Sequence, residues 1–289
     1  MATEPSDVRP GPPAPEASDT FLPDILPISP DQPLHWLVLG FRDMARSPLL
    51  SIAHGVVLAA LGLLITWLAH DRFWLLAGSM TGFMVVAPVL ATSLYAMSRA
   101  MERGEKVDLA LLVSTWTQWQ MKLRLQPDSY WSLIRFGLLL ALAGTGWVIT
   151  SSALITLLAP VPIHKPMDFV RHVVLNNDHF LFEAWLGLGG LMAAPVFASS
   201  VVSMPLLLDR RVSVLQAVLT SWKAVLTHPL TMTFWAFLIM GFSLLGIFSL
   251  FLGLILVVPM LGHGSWHAYR SLVDTRGLAE RIGHERSGR

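Results

Sequence analysis

Cysteine is absent from this 289-residue chain, and charge is scarce: Asp, Glu, Lys and Arg together make up 13% of it. Without cysteine there is no disulfide, no thiolate metal centre and no cysteine nucleophile. Soluble domains carry about 25% charged residues. Half that share, beside 54% hydrophobic residues, points away from a soluble globule. The formal net charge is +1, which leaves no electrostatic footprint for nucleic acid. No P-loop, GxSxG or paired-carboxylate motif is present.

What the chain has is long apolar runs. Charge-free stretches extend from Phe73 to Ser98, Phe136 to Ile163, Ala184 to Leu208 and Ala224 to Tyr269. Apolar runs of roughly 20 residues read as membrane spans. Four spans are expected over Leu49–Ala69, Phe73–Met97, Leu133–Ala159 and Ala184–Leu207. The block Leu230–Leu261 is too long for one span, because roughly 32 residues of helix reach about 48 Å. It reads as a hairpin turning near Gly241 to Gly246. Six spans leave only Arg72, Lys165 and Arg171 outside, and keep the arginines from Arg270 onward on the cytoplasmic side. The positive-inside rule prefers that arrangement over five spans. None of these spans has Asp, Glu, Lys or Arg at its middle.

Each hairpin follows an amphipathic segment that ends near a proline. These segments are Trp36–Met44 before Pro48, Val107–Leu123 before Pro127, and Val214–Leu226 before Pro229. Helices of this kind lie in the membrane interface. In the first, Arg42, Asp43 and Arg46 are assigned to the polar side. Residues 1–33 hold nine of the nineteen prolines and little apolar periodicity, which reads as an unstructured tail. The expected organisation is this tail, a six-helix membrane domain over 34–273, and a basic tail over 274–289. The fold class is all-α: three helix-hairpin repeats, each preceded by an interfacial helix.

The repeat has a short signature. Pro88, Pro195 and Pro259 open the steps PVLATS, PVFASS and PMLGHG, placing Ala91, Ala198 and Gly262 at equivalent positions. Proline removes a backbone donor and bends a helix. Small residues on the next turn admit a neighbouring helix. Each even-numbered span should therefore bend at a helix crossing. The step reads either as packing around a pseudo-threefold bundle or as the lining of a cytoplasm-facing cavity.

The third copy departs from the pattern, because His263 replaces Thr92 and Ser199, and His267 follows on the same helix face. The expectation is that both rings point into the bundle within reach of His54 or Tyr95. No carboxylate accompanies the pair in sequence, so a metal or haem site centred on His263 and His267 is incomplete. Arg99 and Arg270 match in register, as do Tyr95 and Trp266. Those four read as snorkelling arginines with interface aromatics, or as a site for an anionic group.

GHGSWHAYR over Gly262–Arg270, APVLATSLYAMSRAMERGE over Ala87–Glu105 and MPLLLDRRV over Met204–Val212 resemble one family. It is a domain of unknown function from proteobacterial inner-membrane proteins, with a GHxxWHxYR ending and, in some members, a label likening it to cytochrome c oxidase subunit I. The resemblance implies a multi-pass protein of the bacterial inner membrane, here read with both termini cytoplasmic. A haem-copper core needs about twelve spans and several paired histidines, which this chain lacks. The functional expectation is a non-catalytic inner-membrane protein acting through helix packing, lipid or partner contacts, as in assembly of a membrane complex. A small permease or lipid-handling protein is the alternative, followed by a haem- or metal-binding protein. No cofactor is expected, and the partners are the bilayer and a membrane protein.

Overall fold

Prolines set the helix starts. A computed structural model describes residues 22–121, 127–175 and 180–280, with side chains described for these except 84–89 and 116–134. The element order is α1 (Gln32–Arg46), α2 (Pro48–Ala69), α3 (Phe73–Leu90), α4 (Thr92–Glu102), α5 (Leu109–Met121), α6 (Pro127–Leu158), α7 (Pro166–Phe169), α8 (Leu181–Ser200), α9 (Ser203–Asp209), α10 (Val214–Thr227), α11 (Pro229–Phe248) and α12 (Leu254–Leu272). Proline fits the first helical position, where no N–H is needed, and it drives the residue before it out of the helical region. Ser47 (φ −133°, ψ 64°) and His228 (φ −126°, ψ 59°) therefore take nearly the same conformation at the corners α1–α2 and α10–α11.

Among the described residues the protein is all-helical apart from two isolated bridges, Ile25 with Val273 and Arg210 with Glu280. Among the described residues four stretches are long and apolar enough to cross a membrane: Pro48–Ala69, Arg135–Leu158, Leu181–Asp209 and Pro229–Phe248. In α3, Phe73–Phe83 is a shorter apolar helix. α12 carries His263, His267 and Arg270 in its C-terminal half.

The last apolar block is two helices, and its turn lies at Ser249–Gly253, not near Gly241 to Gly246. Gly246 stays helical because it faces Leu254 across the hairpin, where an added Cβ would lie 2.5 Å from the Leu254 side chain. Leu250 (φ 55°) and Phe251 (φ 65°) turn the chain in the left-handed region, and Ser249 Oγ accepts from the Gly253 N–H at 2.8 Å.

At two of the three steps the helix is interrupted, with backbone angles that stay in the right-handed helical region. α3 gives way to α4 at Ala91, and α8 to α9 at Val201–Val202. α12 continues through Pro259 as one helix. The positions differ: Pro259 sits in the second turn of α12, whereas Pro88 and Pro195 lie toward the C-terminal ends of α3 and α8.

α4, α9 and α12 pack against one another in all three pairings. The amphipathic helices close this arrangement from outside: α1 lies on α12, α5 on α4 and α10 on α9. The main core gathers Trp36, Tyr95, Trp235, Trp266, Tyr269 and the apolar residues of α9 there. Trp36 and Trp235 meet edge to face at 5.4 Å. A smaller core at the α3–α6–α8 end joins Phe73, Ile155, Ile163, Val173 and Leu181, with Phe169 stacked on Phe73 at 5.0 Å.

Parts of both expected tails dock on the helical domain. Residues 22–30 are held by the domain: the Leu26 N–H donates to Leu272 O, Lys223 Nζ donates to Pro23 O, and Ile25 and Ile28 pack on the core. At the other end the Arg211 N–H donates to Ala279 O, and Leu278 packs on the same core. The strap is apolar at Ile25, Leu26 and Ile28 despite its prolines, which is enough to dock it. Residues 1–21 of the expected unstructured N-terminal tail, residues 281–289 of the expected basic C-terminal tail and the last two residues of the second amphipathic segment, 122 and 123, lie outside the described residues.

Candidate functional site

Two histidines one turn apart on α12 enter a chain of polar groups drawn from four helices. His263 is fully buried. Its Nδ1 lies 2.7 Å from Ser98 Oγ on α4, and its Nε2 lies 3.0 Å from Ser51 Oγ on α2. Ser98 Oγ donates to Asp43 Oδ2 on α1 at 2.8 Å. His267 Nε2 donates to the same oxygen at 2.8 Å. Arg46 Nη1 approaches the other carboxylate oxygen at 3.6 Å.

The protons have one consistent order. A hydroxyl carries a single proton, and Ser98 gives its proton to the carboxylate. His263 must then donate from Nδ1 to Ser98, which leaves Nε2 to accept from Ser51. The order runs Ser51 to His263 to Ser98 to Asp43, and it needs Asp43 ionised. Burial raises the Asp43 carboxyl, but the hydrogen bonds from His267 and Ser98 and the field of the two histidines outweigh it, leaving the group below its ordinary value. All four hydrogen-bonding partners are satisfied by protein, which is what a buried polar chain requires.

A second polar cluster locks the C-terminal ends of α4 and α9. Asp209 is 2% exposed and accepts from Tyr269 Oη at 2.9 Å, Arg210 Nε at 3.0 Å and Arg103 Nη2 at 3.2 Å. Glu102 accepts from Trp266 Nε1 at 3.0 Å and from Arg270 Nε at 3.0 Å. Arg99 Nη1 donates to Leu208 O at 3.0 Å, in the last turn of α9, where carbonyls lack helical partners. Arg99 and Arg270 thus perform matching tasks, each reaching the C-terminal end of another copy's helix.

The structure brings His263, His267, Trp266, Arg270, Tyr95 and Arg99 to this one end of the bundle. Tyr95 is buried and pairs with Ser265 rather than with either histidine. Both ring nitrogens of His263 are taken by Ser51 and Ser98, and His54 Nδ1 lies 2.7 Å from Leu50 O in its own helix. The carboxylate missing from the histidine motif is supplied by Asp43, remote in sequence. Among the described residues no group of three His, Cys, Asp or Glu converges as metal ligands.

Of the packing steps, Gly262 faces Leu94, whose Cδ1 would lie 2.4 Å from an added Cβ. Ala198 is buried, and Ala91 packs partly on the core. Pro195 lies inside α8 and Pro259 inside α12, while the side chain of Pro88 is outside the described residues.

Asp43, assigned by sequence to the polar side of its helix, is buried instead, and Ser51, Ser98, Glu102, Asp209 and Tyr269 were not singled out by sequence. Two signals for them existed. Glu102 and Asp209 each stand fourteen residues after the proline of their repeat. Asp43 shares its helix face with Trp36, Gly40 and Met44, so register places it on the buried side of α1 and not with Arg42.

Residues 75–209 match a family described as "Predicted integral membrane protein (DUF2189)". That stretch begins early in α3 and ends with α9. It holds the APVLATSLYAMSRAMERGE segment and the start of MPLLLDRRV, while α1 and α12 lie beyond it. No curated protein and no solved structure matches the chain. The family description and the four long apolar helices agree on a membrane protein.

Proposed function

We propose that this is a six-span inner-membrane protein of three hairpin repeats, with both termini cytoplasmic, that works without catalysis through lipid and partner contacts. One observation carries the reading. The ionisable groups at the α4–α9–α12 end are engaged with one another: Asp43 with His267, Glu102 with Arg270, and Asp209 with Arg103 and Arg210. Pairing of this kind satisfies the buried groups and ties the helices to one another. Here the pairs fasten helix ends. The repeat reading is supported by the pairwise meeting of α4, α9 and α12, by the placement of each amphipathic helix on another copy's helix, and by the matching corners at Ser47 and His228.

Topology gives one test. Reporters fused after residue 289 and inserted at His70–Arg72 should sit on opposite sides of the membrane. Same-side signals overturn the six-span arrangement. Composition of the purified protein gives another. An absorption spectrum and metal analysis should find no stoichiometric haem, copper or zinc. A stoichiometric group lost in His263→Ala would replace this reading with a cofactor protein.

A further inference from the structure

The helix α1 has three faces, not two. Trp36, Gly40, Asp43 and Met44 are buried against the bundle. Leu34, Val38 and Phe41, spaced as one helix stripe, are 48%, 67% and 57% exposed, and exposed Ala45 continues the line. His35, Arg42 and Arg46 form a second exposed stripe about a quarter turn away. The rotation of the helix is fixed from inside. Asp43 is tied to Ser98 and His267, and Trp36 Nε1 donates to Ser271 Oγ at 2.9 Å. Gly40 brings the two backbones together, since a Cβ there would lie 2.3 Å from Met260 O. The inner bonds thereby hold the apolar ridge and the basic stripe outward together.

An apolar ridge flanked by positive charge is the pattern of a helix that sinks into the acyl boundary while its cations meet negative headgroups. We propose that α1 is a binding site for anionic lipid headgroups, with Arg42 and Arg46 contacting the phosphates and Leu34, Val38 and Phe41 seated among the acyl chains. The occupant is a lipid and not a protein helix, because the ridge is continuous with the exposed apolar surface of α2, where Leu49, Val56, Val57 and Leu64 face outward. Asp43, the carboxylate nearest the stripe, is turned inward and meets one Arg46 nitrogen at 3.6 Å, leaving that half-exposed guanidinium open to the outside, and Asp31 beside His35 lies at the opposite, N-terminal end of α1. The proposal deepens the lipid-contact reading above and rests on it.

Hydrogen exchange at α1 tests it, in nanodiscs whose two leaflets have the same composition, so that orientation in the membrane does not affect the result. Discs of phosphatidylcholine are compared with discs of equal parts phosphatidylcholine and phosphatidylglycerol. The anionic discs should slow exchange in α1 by about fivefold for each arginine engaged, roughly thirtyfold for two. Arg42→Gln with Arg46→Gln should abolish that difference, while Lys165→Gln at the opposite end should keep it. Should the double variant already be loosened in neutral discs, Arg42→Lys with Arg46→Lys decides the matter, because lysine retains the charge and should retain the slowing. Equal exchange of the parent in both discs overturns the proposal. So does a full anionic effect in the glutamine double variant, which would place the lipid elsewhere. Reporter results that reverse the topology would overturn the parent reading alone.

Discussion

Asp43→Ala should destabilise the detergent-solubilised protein by about 3 kcal/mol, because it removes one side of a buried, charge-assisted network. The carboxylate is 3% exposed and collects bonds from Ser98 and His267. Its loss leaves both donors facing a void and removes the acceptor that orders the His263 protons. Ser51→Ala deletes a single bond at the far end of the chain, so its effect should be about 1 kcal/mol. Thermal melts of the two variants beside the parent test the ranking, and equal melts would remove Asp43 from its fastening role. The pH dependence has a fixed sign. The folded carboxyl lies below its unfolded value, so the stabilisation is fully present above about pH 4 and is lost as pH falls through the folded value. Asp43→Asn should lack that acid-side slope.

The other large effect belongs to two glycines. At Gly55 a Cβ would lie 2.2 Å from Ile255 O, and at Gly40 it would lie 2.3 Å from Met260 O. Both obstacles are backbone atoms of α12, so no rotamer change relieves them. Pro259 has no N–H, so the carbonyl of Ile255 lacks its helical donor, and the bare face of Gly55 sits against it. Alanine gains about 1 kcal/mol of helix propensity over glycine, so any net loss must come from the crossing itself. Gly40→Ala and Gly55→Ala should each lose about 2–3 kcal/mol. Gly262→Ala should cost less, since it meets the flexible end of Leu94. The order of melting temperatures reads this directly. If all three variants melt with the parent, the α1–α12 and α2–α12 crossings are looser than the geometry requires.

Hydrophobic runs determined the all-helical membrane class and put the first span within a residue of the α2 start at Pro48, because length against bilayer thickness is a local property, while the division of the block after Leu230 into two helices also needed the proline repeat and the arginine distribution. Proline spacing pointed to the step at Ala91, where α3 ends, but not to the break at Val201–Val202 or to the unbroken course of α12 through Pro259. The turn at Ser249–Gly253 was not legible, since glycine marks turns in general, and here Gly246 serves interhelical contact instead. Nor was the docking of residues 22–30, where a few apolar side chains among prolines depend on Leu272 and Val273 for a partner. Tertiary structure alone decided the site. His263 and His267 were visible as a departure from the repeat, yet their meaning rests on Ser51, Ser98 and Asp43, which three other helices deliver. A hydroxyl or a carboxylate on an amphipathic helix has no identity as a partner until the fold sets which face turns inward. That choice follows from the close crossing at Gly40 and Gly264, a contact between backbones far apart in the chain.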